Sequence, residues 1–98
     1  MISNTYTVPS KVTSRIYKYL ASTVGPANTV KHFGPSCFYA QFGPFTLTSV
    51  PGEEGGESVV NLYFHGSFDS KLVQMYHQVK KKISTFPGMS ADALNPFS

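Results

Sequence analysis

Three Gly-Pro pairs, each preceded by an apolar residue, divide the middle of the chain into short segments. They are Val24-Gly25-Pro26, Phe33-Gly34-Pro35 and Phe42-Gly43-Pro44, and they recur at intervals of nine residues. Glycine and proline interrupt regular structure, so the segments between them hold about six residues each. Segments of this length that are rich in Phe, Tyr, Thr and Val are typical of short strands joined by tight turns.

Four segments have the composition of strands. They cover about 28–33, 36–42, 45–50 and 58–64. In the second of them, aromatic residues occur in both alternating sets, with Phe38 and Phe42 in one and Tyr39 in the other. We therefore expect both faces of the sheet to be covered, one by helices and the other by a partner.

Two segments have the spacing of amphipathic helices. The first covers residues 11–24, where Ser10 can cap the helix and Gly25-Pro26 ends it. The second begins after Ser67 or Asp69 and ends at Pro87-Gly88. Its apolar residues recur at steps of four and three: Leu72, Tyr76, Val79, Ile83 and Phe86. The first four of these should face the first helix or the sheet.

These elements predict an α+β domain with the order α-β-β-β-β-α. We expect an antiparallel sheet of three to four short strands flanked by two helices. Residues 1–88 form one domain with a short N-terminal arm, and residues 89–98 form an ordered C-terminal tail. A chain of 98 residues is near the usual size for a single hydrophobic core.

The composition favours a folded body that associates with other molecules. Hydrophobic residues make up 41% and charged residues only 13%, which is about half the usual charged share. Few surface charges then oppose association, and the net charge of +3 is mild. Cys37 is the single cysteine, and the sequence contains neither a signal core nor a run of membrane-spanning length. We expect a cytoplasmic protein, or one within an assembled particle.

Six basic residues are candidate contacts for nucleic acid. If the two helices pack side by side, their lysines and arginine could form one patch that neutralises phosphates. The alternative is that both sets are solvated helix faces, and lysines near a helix C-terminus are favoured by its dipole. The residues are Lys11, Arg15, Lys18, Lys80, Lys81 and Lys82.

Residues with catalytic or metal-binding chemistry are few and poorly spaced. Structural zinc sites need ligands in paired short spacing, and the sequence has no such pairs. The available groups are His32, His65, His77, Cys37 and Asp69. Paired carboxylates occur only in the glycine-rich loop at 52–57, where catalytic preorganisation would be poor. We predict no catalytic, metal or cofactor site, and a protein that is not an enzyme.

The tail carries the candidate assembly contacts Met89, Leu94 and Phe97, which are too apolar to remain in water. The sequence therefore favours a non-enzymatic structural or assembly subunit that forms a homo-oligomer or a larger assembly through protein–protein contacts. A virus or phage particle is the setting that its small size suggests. Two alternatives remain open: a nucleic-acid-binding module that uses the basic helix faces, and an adaptor or inhibitor that binds a protein through its sheet edge.

Overall fold

The computed structural model of the protein describes residues 2–67, 69–86, 88, 90 and 91. The strands form one antiparallel sheet in the order β2-β3-β4-β5-β1-β6. The elements are β1 (Ile2–Pro9), a 3₁₀ turn (Ser10–Val12), α1 (Thr13–Thr23), β2 (Thr29–Gly34), β3 (Cys37–Phe42), β4 (Phe45–Pro51), β5 (Glu57–Phe64), α2 (Ser70–Ile83) and β6 (Ser90–Ala91). The predicted α+β class and the antiparallel sheet with two helices are confirmed.

The predicted number of three to four strands is wrong, because the sheet has five strands and a two-residue sixth, β6. The additional strand is the N-terminal segment, which the sequence indicated as an arm. It pairs with β5 along its whole length, from Ile2 opposite Phe64 to Pro9 opposite Glu57. Its buried residues alternate as in any strand, but one of them is the polar Asn4, which obscures the apolar pattern.

The Gly-Pro pairs lie at turns, as predicted. Phe42 is opposite Phe45, so Gly43 and Pro44 form a two-residue hairpin turn between β3 and β4. Gly43 has φ +52° and is the first residue of this turn, where a type II′ hairpin favours glycine. In the β2–β3 hairpin, the turn residues are Pro35 and Ser36.

Both helices cover the same face of the sheet. Phe42, Phe45 and Phe64 lie side by side on β3, β4 and β5, and all three are buried. Tyr17 of α1 packs on Phe42 with ring centroids 5.1 Å apart, and Tyr76 of α2 packs on Phe64 at the same distance. One hydrophobic core therefore fills the space between the sheet and the helix layer.

The helix faces expected to be buried are confirmed. Ile16 and Leu20 of α1 are fully buried, as are Val79 and Ile83 of α2. Leu72 lies nearer the margin and is half-buried against the core. Asp69 is the cap of α2, since its Oδ1 accepts a hydrogen bond from the backbone N–H of Lys71 at 2.7 Å.

Candidate binding surfaces

The face of the sheet opposite the helices carries no helix in the described ranges. Two rows of side chains cross it from strand to strand. The first row is Lys31, Tyr39, Thr48, Asn61 and Thr5, and the second is Thr29, Gln41, Thr46, Tyr63 and Ser3. We call these rows the open sheet face, together with the residues that continue the same alternation: Cys37, Val50, Val59, Thr7 and Glu57.

The centre of the open sheet face is a shallow depression of about 530 Å³. Tyr39 and Tyr63 flank it from β3 and β5, on either side of β4. At its margin, Thr46 Oγ1 and His65 Nε2 share a hydrogen bond of 2.9 Å. Beside it, Thr5 Oγ1 donates to Asn61 Oδ1 at 2.6 Å. The depression therefore offers two aromatic rings and several neutral hydrogen-bonding groups.

Formal charge is nearly absent from the open sheet face. Of the residues that define it, only Lys31 and Glu57 are charged. Lys31 lies on β2 at the edge of the sheet, and Glu57 is the first residue of β5. The area between them carries hydroxyl, amide, aromatic and aliphatic groups. It can make contacts with another molecule without burying a charge.

The six basic candidate residues belong to the helices, on the other side of the molecule. Lys11, Arg15 and Lys18 are exposed on or beside α1, and Lys81 and Lys82 are exposed on α2. The sixth, Lys80, is half-buried. Consecutive residues of a helix point about 100° apart, so the three lysines of α2 do not form one row.

Charge is distributed unevenly along the chain. Residues 1–52 contain four basic residues and no acidic one. The five acidic residues all follow, three of them in or beside the loop between β4 and β5. The basic residues of the acid-free part are Lys11, Arg15, Lys18 and Lys31. The helix α1 and the strands β2, β3 and β4 therefore form one positive region of the molecule, and α2 with its four lysines forms another.

The strand β2 is the edge of the sheet on this positive side. Within the described part of the chain, no strand pairs with its outer edge. Five of its six residues are exposed, including Val30 at 39% and Phe33 at 70%. Phe33 lies where the pairing with β3 shifts register between His32 and Gly34, so it is the extra residue of a β-bulge.

A groove of about 450 Å³ separates β2 and its hairpin turn from α1. We call it the hairpin groove. Tyr17 and Lys18 line it from α1, and His32, Pro35 and Phe38 line it from the hairpin. It exists because α1 packs over β3 through Tyr17 and leaves β2 uncovered on the helix side.

The candidate catalytic and metal-binding residues are dispersed in the structure. Among the described residues, no three His, Cys, Asp or Glu side chains come close enough to hold a metal ion. Cys37 is half-buried on β3, His32 lies beside Phe38, and His77 lies beside Tyr76. The two histidines each contact an aromatic ring, and His65 shares a hydrogen bond with Thr46.

A buried polar cluster joins β1 to α2 beneath the helix layer. Asn4 is fully buried and donates from Nδ2 to the hydroxyl of Tyr76 at 2.9 Å. Tyr6 is 3% exposed on the same face of β1. Burial raises the pKa of the Tyr6 hydroxyl above its ordinary value, and the nearby Tyr76 raises it further. The cluster is enclosed, so we assign it to stability.

The candidate assembly contacts Met89, Leu94 and Phe97 lie outside the described residues. The described part of the tail is β6, where Ala91 is opposite Tyr6 and Ser90 is opposite Thr7.

The sequence predicted that one sheet face would need a covering partner, but it did not identify the uncharged open sheet face or the hairpin groove.

Neither described helix is both long and apolar enough to cross a membrane. The chain matches no model of a known protein family, no curated protein and no solved structure.

Proposed function

We propose that the protein is a non-enzymatic assembly subunit that contacts a second copy of itself through the open sheet face. The observation that carries this proposal is the near absence of charge from a face that spans five strands. The exposed side of an antiparallel sheet is ordinarily solvated, and polar residues then alternate with the core. Here the polar residues are neutral, so they can be removed from water at a much lower cost than charges.

The composition of the open sheet face is that of a protein contact. Interface centres are depleted in charged residues and enriched in tyrosine. Tyr39 and Tyr63 flank the central depression, and each presents a large ring with a hydrogen-bonding hydroxyl. Gln41, Thr48 and Asn61 add groups that both donate and accept hydrogen bonds, so that one copy of the face can complement another.

The position of the basic residues favours a second copy over a charged partner. With the open sheet faces together, the two sheets would lie about 10 Å apart, with one helix layer of about 10 Å outside each. The exposed lysines of the helices in the two copies would then be about 30 Å apart, well beyond the screening length of about 8 Å at physiological salt. Lys31 is the one lysine on the contacting face, and it lies at the edge of the sheet. The net charge of +3 therefore does not oppose this arrangement.

Light scattering coupled to size-exclusion chromatography tests the proposal. The parent protein should elute as a dimer or larger species, and Thr48→Glu should elute as a monomer, because it places a carboxylate in the centre of the contact. Gln78→Glu is the matched control, since Gln78 is exposed on α2. A monomeric parent protein, or equal behaviour of the two variants, would contradict the proposal.

The same chromatography distinguishes assembly from nucleic-acid binding. With a single-stranded or double-stranded oligonucleotide at low salt, the protein should elute at an unchanged position. Co-elution that is abolished by changing Lys80, Lys81 and Lys82 to Ala would instead favour a nucleic-acid-binding module, since loss of phosphate contacts weakens binding and its salt dependence.

A larger assembly, such as a virus or phage particle, would require a second contact. A face-to-face contact between two copies uses the same patch on both, so it closes on itself. Met89, Leu94 and Phe97 are the residues that we propose for the additional contact. Deleting residues 92–98, which retains β6, should then limit the assembly to dimers in light scattering. Unchanged assembly after this deletion would exclude Leu94 and Phe97 from the contact.

A further inference from the structure

We infer that the outer edge of β2, together with the hairpin groove, binds an extended segment of another protein that carries an acidic residue. The segment would add to the sheet as a further strand. This surface is the outer edge of β2 with the groove beside it, and it shares only the edge residues Thr29 and Lys31 with the open sheet face. The inference therefore goes beyond the proposed function and does not depend on it.

The backbone of β2 has the property that strand addition requires. An edge strand presents N–H and C=O groups along its outer side, and an extended peptide can pair with them. In the described part of the chain this edge is unpaired. The regular pairing of β2 with β3 runs from Thr29 to His32, and the bulge at Phe33 follows it. An added strand would therefore pair with about four residues before the bulge turns the edge away.

The hairpin groove provides a place for the side chains of the added strand. Val30 is opposite Ala40 and His32 is opposite Phe38, so these two residues of β2 face the helix layer. Alternate residues of a strand beside β2 would point to the same side. They would enter the groove between β2 and α1, which Tyr17 and Phe38 line with aromatic surface. We therefore expect apolar residues at these alternate positions.

The lysines at the outer edge of β2 favour an added strand that carries a negative charge. Lys31 is exposed in the middle of the regular part of β2, and Lys18 lies at the groove. No acidic residue occurs within α1, β2, β3 or β4. A strand with an acidic residue beside Lys31 would gain a cross-strand ion pair. An antiparallel copy of β2 centred on this residue would bring two lysines together, as edge lysines do in proteins that avoid self-pairing.

The test uses synthetic end-capped peptides and nuclear magnetic resonance of the full chain. The first peptide alternates valine with threonine and replaces the central threonine with glutamate. A second carries lysine at that position, and a third is the glutamate peptide with alternate backbone amides N-methylated on one edge. The glutamate peptide should shift the amide signals of residues 29–32 and protect them from hydrogen exchange. The lysine peptide should bind about two- to fivefold more weakly. N-methylation of the edge that pairs with β2 should abolish binding of the third peptide.

A charge reversal identifies the residue that selects the peptide. Lys31→Glu should reverse the preference, so that the lysine peptide binds more tightly than the glutamate peptide. Lys81→Glu is the control, because Lys81 is exposed on α2 and should leave the preference unchanged. Thr48→Glu on the open sheet face should also leave peptide binding unchanged. Because this variant is expected to be monomeric, peptide binding is thereby tested separately from the proposed dimer.

Three results would overturn the inference. The first is an absence of shifts in β2 at any soluble concentration of the glutamate peptide. The second is that the Lys31→Glu and Lys81→Glu variants show the same preference between the glutamate peptide and the lysine peptide. The third is a change in the β2 signals with the concentration of the Thr48→Glu variant alone, which would make a second copy the occupant of the edge even when the open sheet face is blocked.

Discussion

Ser36 adopts a backbone conformation that L-amino acids with side chains rarely take. Its φ is +57°, and it is the second residue of the Pro35-Ser36 turn. A turn with proline first and a positive φ second is the type in which glycine is favoured at the second position. The backbone oxygen of Ser36 accepts a hydrogen bond from Ser49 Oγ at 2.8 Å, and a glycine would retain this acceptor.

We therefore expect Ser36→Gly to raise the free energy of unfolding by about 0.5–1 kcal/mol, since relief of the left-handed strain exceeds the added entropy of the unfolded chain. Urea denaturation measures the change. Ser22→Gly is the control with the opposite sign, because Ser22 lies in the last turn of α1, where replacing serine by glycine lowers stability by about 0.5 kcal/mol or less. A loss of stability in Ser36→Gly would show that the serine is not strained.

Tyr6 makes the free energy of unfolding depend on pH in the alkaline range. Burial holds the pKa of its hydroxyl above the ordinary value near 10, so the folded protein binds this proton more tightly than the unfolded chain does. The resulting stability is complete below pH 10 and is lost as the pH rises through the pKa of the folded state.

Replacing this hydroxyl should remove the effect. Between pH 9 and 11, the free energy of unfolding of Tyr6→Phe should fall less steeply than that of the parent protein. Urea denaturation at about four pH values measures the slopes. Tyr39→Phe is the control, since Tyr39 lies on the open sheet face and should keep the slope of the parent. Parallel slopes for all three proteins would contradict the assignment.

At the scale of elements, α2 shows what a helical spacing predicts and what it does not. The steps of four and three placed Tyr76, Val79 and Ile83 in the core. They also placed Leu72 there, although it is only half-buried. Spacing indicates which side of a helix faces the core. The depth of each residue depends on where the helix crosses the sheet, and the sequence of the helix does not contain that information.

The two ends of α2 should therefore differ in their sensitivity to truncation. Ile83→Ala should lower the free energy of unfolding by about 2–5 kcal/mol, because it leaves a cavity in the core. Leu72→Ala should cost less, since part of its side chain already contacts water. Chemical denaturation of both variants measures the difference. An equal or larger loss for Leu72→Ala would mean that α2 crosses the sheet differently.

The strands show a similar limit. The Gly-Pro pairs and the β-branched residues located β2 to β5, because turns and strand propensity are local properties. The strand β1 was not predicted, because the polar Asn4 occupies a core position. Its hydrogen bond to Tyr76 makes that position tolerable. That partner is 72 residues away in sequence. The residues of the open sheet face could not be identified from the sequence either. They come from five strands, and the register between those strands is not specified by a local pattern.

At the scale of the whole molecule, the two proposed contacts use different surfaces. The helix layer carries most of the exposed basic residues, the open sheet face is nearly free of charge, and β2 forms a positive edge between them. This arrangement supports two contacts at once, because a partner strand beside β2 would lie in the plane of the sheet and leave its open face accessible.

In solution, we propose, a second copy covers the open sheet face. Thr48 lies at its centre and Cys37 is the single native cysteine, so Thr48→Cys in a Cys37→Ser background places one reactive thiol there. Gln78→Cys in the same background reports on the exposed surface of α2. The rate of thiol alkylation, measured from dilute to concentrated protein, should fall several-fold for Thr48→Cys and stay constant for Gln78→Cys. A rate at Thr48→Cys that does not change with protein concentration, in a protein that sediments as a monomer throughout, would contradict the account.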